Sequence, residues 1–171
     1  MDKEKAVEAL VYIARQMPGV GRFHAAKILY FAEREHVRRF GRPVVGDRYI
    51  AMENGPVPSF GYDVLKGSVA TKDAPIVAGA LERADAGAHP AYKAAREPDL
   101  SYFSKTDIQC LNYAIGHCRN RSFGAISDET HKHVAWDRAA LNAPMSWDDI
   151  LEGADPEVIE EAKSFAAYGV L

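Results

Sequence analysis

The segment "AAKILYFA", residues 25–32, constrains the fold of this chain more than any other. It lies within a helical pattern that runs from about Arg22 to Phe40, and it is apolar on nearly every side. A helix without a polar face must be covered all round, so this helix is predicted to lie in the centre of the domain. Its last turns, "EREHVRRF", are polar, and Gly41 is suited to the position just past a helix end.

Helical patterns also flank this central segment. A first helix is expected after the capping residue Asp2, and Pro18 with the glycine after it ends that helix. A capping-box pattern at residues 104–107 opens a later helix, and Ser127 is predicted to cap the helix that follows. Two further helix starts are predicted near the end of the sequence, at Ser146 and at Asp155.

The stretch "GDRYIAMENGPVPS", residues 46–59, interrupts the helical pattern and cannot itself be helical. Residues 49–52 are expected to alternate between the two faces of an extended segment, so they predict a short strand. The Asn-Gly pair tolerates positive φ, and each of the two prolines favours extended geometry in the residue before it. A rigid turn is therefore predicted from Asn54 to Pro58, with a helix starting near Ser59.

Two later segments complete the predicted β element. The run "PAYKAAREPDL", residues 90–100, is predicted to form a second strand that pairs with residues 49–52. Residues 70–90 are rich in Ala, Gly and Asp and predict a variable connection, with a short helix from Ala74 to Arg83. The predicted fold is mainly α, a single-domain helical bundle over residues 1–171 with a minor two- or three-stranded β element.

Charge and composition exclude several classes of protein. A net charge of -3 gives no general attraction to phosphate backbones or anionic membranes. The N-terminus is too charged for a signal peptide, and no apolar run approaches the ~20 residues of a membrane span. Cys110 and Cys118 would lie about 12 Å apart along one helix, which is too far for a disulfide. These features predict a cytoplasmic location.

The histidines are the first place to look for chemistry. His131 and His133 are two residues apart, which places them about 200° apart on a helix. Asp128 and His131 share a helical face, but two ligands without a third are a weak metal signal. The chain also lacks the nucleophile-elbow, P-loop and dinucleotide-binding patterns. The residues thus predict no metal, no cofactor and no enzyme activity.

A cluster of arginines gives the main alternative function. Two of them lie on one helical face near the end of the central helix, and a basic patch of this kind can contact phosphates. Acidic residues are interleaved with them, however, and no aromatic interleaving or helix-turn-helix pattern accompanies them. A nucleic-acid-binding regulator is therefore the alternative to an interaction module, and it would use Arg34, Arg38, Arg39 and Arg42.

The stretch "AAKILYFAEREHVRRFGRPVVGDRYIAMENGPVPS" resembles the signature of the Panacea domain, the SocA-like antitoxin family. In that family a helix of the type K-L-L-Y-F-A-x-x-x-H precedes a Gly, a Gly-Asp-x-Tyr-x-Ala segment and a Gly-Pro-Val-Pro turn. A second, looser match is "SDETHKHVAWDRA", in which Thr130, His131, Trp136 and Arg138 stand at the expected places. The pair before Gly55 departs from the family pattern, because it is Glu-Asn where a more aromatic or basic pair is expected.

The resemblance implies a bacterial or phage-borne antitoxin, whose partners are a cognate protein toxin and, in one mode of action, an ATP-dependent protease. It also implies that the rigid turn could form an interaction surface, whose prior order would lower the entropic cost of binding. The alternative, that the turn packs on the core, remains open at this point. The candidate partner-binding residues are Asp47, Tyr49, Met52, Asn54, Gly55, Pro56, Val57, Pro58, Thr130, His131 and Trp136.

Overall fold

The computed structural model describes residues 1–84 and 89–167. Its helices are α1 (Lys3–Gln16), α2 (Arg22–Phe40), α3 (Ser59–Lys66), α4 (Ala74–Val77), α5 (Lys105–Cys118), α6 (Phe123–His131), α7 (Val134–Asp137), α8 (Trp147–Ile150) and α9 (Pro156–Ala167). Its strands are β1 (Val20–Gly21), β2 (Tyr49–Met52), β3 (Gly55–Pro58), β4 (Leu81–Arg83) and β5 (Ala91–Ala94). Short 3₁₀ helices cover Thr71–Asp73 and Leu100–Tyr102. The fold is mainly α, as the sequence predicts.

Helix α2 lies in the centre of the described structure, as its apolar surface predicts. Residues 25–33 of this helix are all buried, and they include Leu29 and Phe31. The surrounding elements include α1, α3, α5, α6 and strand β3, and each of them packs against α2. Truncation of a core side chain such as Leu29 would therefore remove contacts on several sides.

Most of the predicted helix ends are confirmed. Asp2 caps α1, Ser146 caps α8, and Gly41 ends α2 in the left-handed region with φ +68°. The capping box of α5 is present, since Ser104 Oγ accepts from Asp107 N while Asp107 Oδ2 accepts from Ser104 N. These ends could be predicted because a cap involves neighbours in sequence.

The predicted cap at Ser127 is wrong. Ser122 caps α6 instead, since its hydroxyl oxygen accepts from Ala125 N at 3.2 Å. Ser127 lies inside the helix and is buried. Either serine can cap a helix, but the chain turns earlier, at Asn120, whose φ is +63°. The helix therefore begins one turn sooner than the acidic residues after Ser127 suggested.

The predicted strand at residues 49–52 is present as β2, but the predicted rigid turn up to Pro58 is wrong. Strand β3 pairs with β2 in antiparallel register, with Tyr49 opposite Pro58 and Ala51 opposite Pro56. Ala51 directs its own N–H and C=O away from β3, toward Ala143 O and Asn142 N. The β3 residues opposite Tyr49 and Ala51 therefore need no backbone N–H to pair with β2. Proline, which lacks that N–H, fits both positions.

The predicted pairing of residues 90–100 with β2 is also wrong. Strand β5 pairs with β1 and β4 in a separate three-stranded sheet. β2 has no free edge for it, because β3 pairs on one side and residues 142–145 hydrogen-bond on the other. The helix predicted over 74–83 ends at Val77, and residues 81–83 form β4. Residues 85–88 of the predicted variable connection lie outside the described residues.

Two buried carboxylates fix the chain around α2. Glu33 accepts hydrogen bonds from the backbone N–H groups of Val44, Val45 and Gly46, which folds the segment after α2 back onto the helix. Burial raises the pKa of Glu33 to about 7, against the opposing effect of those N–H donors. Asp107 contacts Lys5, His36 and Arg42, so it joins α1, α2 and α5.

Neither a membrane span nor a disulfide is found in the described part of the chain. Among residues 1–84 and 89–167, no helix combines the length and the apolar character needed to cross a bilayer. Cys110 and Cys118 are both buried free thiols, as their spacing predicts.

Candidate functional site

The structure brings the two segments that carry the family resemblance together at the β2–β3 hairpin. Trp136 Nε1 donates a hydrogen bond to Met52 O at 2.9 Å, which attaches α7 to the hairpin. The His131 ring stacks on Trp136, with centroids 3.9 Å apart. Thr130 lies directly beside Gly55, where the hairpin enters β3. Residues far apart in sequence therefore form one local structure.

Several of the predicted contact residues lie inside the protein instead of on its surface. Asp47 accepts from Phe60 N at 3.1 Å and Gly61 N at 2.8 Å, so it holds the start of α3. Burial raises the pKa of Asp47, although these N–H donors oppose the shift. Tyr49 is buried, and its hydroxyl donates to Leu29 O at 3.3 Å. Both side chains position the hairpin and cannot touch a partner directly.

The Gly-Pro step of the hairpin sits on a buried cluster. Lys27 Nζ donates to Pro56 O at 2.6 Å, and Thr130 Oγ1 donates to Ser127 O at 2.9 Å. A Cβ placed on Gly55 would overlap Thr130 Oγ1 and lie 2.8 Å from Lys27 Nζ. Gly55 also has φ +93°, a conformation that side chains with a Cβ rarely adopt. Pro56 and the other proline of the strand, Pro58, are buried as well.

The accessible part of the hairpin is the hairpin rim, which we define as Met52, Glu53, Asn54 and Val57. Glu53 and Asn54 are exposed at the turn, while Met52 and Val57 are half-buried. All of them line a cavity of about 710 Å³. The predicted residues Met52, Asn54 and Val57 are therefore accessible, and His131 and Trp136 are half-buried beside them.

The opposite wall of the cavity comes from the N-terminus of α2 and the start of α6. Phe23 and Phe123 pack with ring centroids 4.1 Å apart, and Tyr62 of α3 lines the same space. Sequence reasoning missed these aromatic residues, because their proximity depends on how the helices pack. Lys27 belonged to the matched motif, yet its place at this cavity follows only from the packing of α2 against the hairpin.

The histidines of the H-x-H pair have separate partners. His133 Nδ1 lies 3.0 Å from the Tyr30 hydroxyl, and burial lowers the pKa of His133 to about 4. His131 instead stacks on Trp136, and Asp128 is exposed. Within residues 1–84 and 89–167, no three His, Cys, Asp or Glu side chains are arranged to hold a metal ion.

The four arginines of the alternative interpretation, a nucleic-acid-binding regulator, do not form one free basic patch. Arg42 pairs with the buried Asp107 at 3.1 Å and also donates to Ser104 Oγ. Arg39 forms an ion pair with Glu35 at 3.5 Å. Both arginines are thus engaged within the protein, which leaves a smaller basic area than the sequence alone suggests. The remaining pair, one helical turn apart, is Arg34 and Arg38.

Comparison with known proteins identifies one matching family. The model of the family "Antitoxin SocA-like, Panacea domain" matches residues 26–137, which is well over half of the chain. This span runs from the second turn of α2 through the hairpin to the end of α7. No curated protein and no solved structure matches the chain.

Proposed function

Because the chain belongs to the SocA-like antitoxin family with the Panacea domain, we propose that it neutralises a protein toxin by binding it directly. The family match is the observation that supports this most strongly, since it spans α2, the hairpin and α6–α7. The matched span contains the hairpin rim and part of the cavity lining, while Arg22 and Phe23 of that lining precede the match. We therefore take this face of the molecule as the toxin-binding surface.

The hairpin rim has the physical properties that a binding surface needs. Hydrogen bonds from Lys27 to Pro56 O and from Trp136 to Met52 O hold the hairpin from two sides. A surface that is already ordered loses little conformational entropy when it binds. Phe123 adds an exposed aromatic ring next to the rim, and aromatic rings often contribute most of the binding energy at interfaces.

Delivery of the bound toxin to an ATP-dependent protease is a further step in this proposal. Such delivery would begin with the same complex, so it places no different demand on the hairpin rim. We propose that the chain meets its toxin in the cytoplasm. There the free buried thiols of Cys110 and Cys118 would stay reduced.

Co-expression with the product of the neighbouring toxic reading frame tests the proposal. The intact chain is expected to restore growth and to co-purify with the toxin. Repeating the assay in a host that lacks ATP-dependent proteases separates the two modes, since direct neutralisation persists there and delivery does not. A folded chain that neither restores growth nor forms a complex would refute both.

A further inference from the structure

We propose that the cavity beside the hairpin rim binds a carboxylate that an apolar segment of the protein partner carries into it. This inference names the partner chemistry of the proposed toxin-binding surface and so rests on the proposed function. It depends on the unusual balance of charge inside the cavity. The wall supplies the N-terminus of α2 and two cations, Arg22 and Lys27, that form no ion pair within the described residues.

Lys27 is the deepest cation of the cavity. Its side chain is 1% exposed, and its ammonium donates to Pro56 O at 2.6 Å. The Phe23 ring lies 5.2 Å from Lys27 Nζ and gives a weak cation–π contact. Lys27 forms no ion pair with any carboxylate in the described residues. A lysine that is buried without a counter-ion is costly, and an incoming carboxylate would supply the missing charge.

Arg22 stands at the other side of the cavity, in the first turn of α2. Its guanidinium lies over the Tyr62 ring, with 5.8 Å between the guanidinium carbon and the ring centroid. Its Nε is buried and has no hydrogen-bond partner in the part of the chain that the structure describes. Hydrogen bonding to the Tyr92 and Tyr62 hydroxyls raises the pKa of Arg22, so its guanidinium stays charged. The unpaired Nε–H still favours a ligand that can accept its hydrogen bond.

The start of α2 adds to the positive potential. The N-cap residue is Gly21, which has no side chain to cap this helix, and within the described residues the Arg22 N–H donates to Pro90 O at 3.2 Å. The N-terminal end of a helix attracts anions through its dipole and through any first-turn N–H groups that remain unbonded. Among the described residues, two histidines, His24 and His89, also line the cavity, and Glu53 at the turn is the acid in that lining. The described lining is therefore basic within a chain of net charge -3.

The state of Lys27 is sensitive to what occupies the cavity. Burial lowers the pKa of Lys27 to about 7. A carboxylate placed beside the ammonium would favour its charged form and raise that pKa again. Binding is therefore expected to take up a proton at neutral or slightly basic pH.

The apolar walls decide which acidic group fits. Phe23, Phe123 and Val57 form much of the lining, and they favour an aromatic or aliphatic neighbour for the carboxylate. The low exposure of Lys27 favours a group at the end of a chain or side chain over a continuous phosphate backbone. A carboxylate on an apolar peptide segment satisfies both conditions.

Three N-acetyl dipeptides test this inference with the purified full-length chain. One is leucyl-phenylalanine with a free C-terminal carboxylate, one is glutamyl-phenylalanine amide, and the neutral control is glutaminyl-phenylalanine amide. Backbone NMR shifts on titration report binding. At least one acidic peptide is expected to bind with a Kd below about 1 mM and at least about tenfold more tightly than the neutral one. The better acidic peptide identifies the chain end or the side chain as the source.

Substitutions in the cavity wall test whether the acidic peptides bind there. Lys27→Met keeps the side-chain volume nearly constant, and Arg22→Gln keeps a polar group, so each should weaken the acidic peptide about tenfold or more. Arg138→Gln, at an exposed pair of salt bridges, is the control and should bind as the native chain does. If Lys27→Met does not fold, Arg22→Gln alone decides the result.

Three outcomes would overturn the inference: equal binding of the neutral peptide, no binding of any peptide, or binding of inorganic phosphate in preference to both acidic peptides. The proposed function is judged separately, by co-purification of the native chain with the toxin. A toxin complex without peptide binding therefore refutes the carboxylate site alone. Loss of the toxin complex refutes the proposed function.

Discussion

Gly55→Ala is expected to lower the free energy of unfolding by about 2–5 kcal/mol. The new Cβ would overlap Thr130 Oγ1 and lie 2.8 Å from Lys27 Nζ, and the residue would have to keep φ +93°. Thr130 and Lys27 are both buried, so neither can move away freely. Such a loss is a large part of the ~5–15 kcal/mol that holds a domain together. Chemical denaturation of the purified variant measures it.

Gly67→Ala is the matched control for this prediction. Gly67 also has positive φ, +70°, but a Cβ placed there meets nothing within 4 Å. Its substitution should therefore cause only the backbone strain of about 1–2 kcal/mol. If Gly55→Ala is no more destabilising than Gly67→Ala, the close packing of Lys27, Gly55 and Thr130 does not hold the hairpin.

Val57→Asp and Phe123→Glu should abolish growth rescue while the chain stays folded. Val57 is half-buried on the hairpin rim, and Phe123 is 47% exposed, so neither change opens a core cavity. Both changes place a negative charge at the proposed binding surface, where it would have to be desolvated on binding. Loss of a central contact at an interface typically weakens binding about 30-fold or more. Titration of the toxin and a thermal scan measure the two effects separately.

Tyr113→Glu is the control for Phe123→Glu. Tyr113 is also an aromatic residue on a helix, and its exposure of 49% nearly equals that of Phe123. It stacks on His117, away from the residues that line the cavity. This variant should rescue growth like the native chain. Equal loss of rescue in both variants would mean that added negative charge alone, and not its position, prevents toxin binding.

The elements that depend on neighbours in sequence could be predicted from the sequence. The bounds of α2 and the capping box of α5 were predicted correctly, because periodicity and caps involve residues within a few positions of each other. The buried state of Leu29 and Phe31 followed in the same way from the all-apolar segment.

The partners of the β strands could not be predicted in this way. The two prolines of the hairpin suggested a turn, since proline lacks the N–H that most strand positions use. They fit strand β3 only because Tyr49 and Ala51 direct their hydrogen bonds toward residues 142–145. Nothing near the hairpin in sequence signals that distant segment. The strand β5 was expected beside β2 for the same reason, because the sequence near β2 does not signal that residues 142–145 occupy its edge.

The segments that form the candidate site could be predicted, but not which of their residues are accessible. Family resemblance pointed to the hairpin and to the Thr130–Trp136 segment, and the structure places these two together. A family resemblance does not distinguish buried residues that support a surface from exposed residues that contact a partner. Tyr49 and Asp47 were therefore grouped with exposed positions. Only packing reveals that these two are buried and that Phe23 and Phe123 complete the cavity wall.

Hydrogen–deuterium exchange on the purified complex of the chain with its neighbouring toxin tests the central claim most directly. Binding through the hairpin rim should slow exchange at residues 52–55 and 57, and in the first turns of α2 and α6. Exchange around Leu100, which lies beside the N-terminal half of α1, should stay unchanged. Slowed exchange confined to the region of Leu100 or Tyr113, with the hairpin unaffected, would contradict the account.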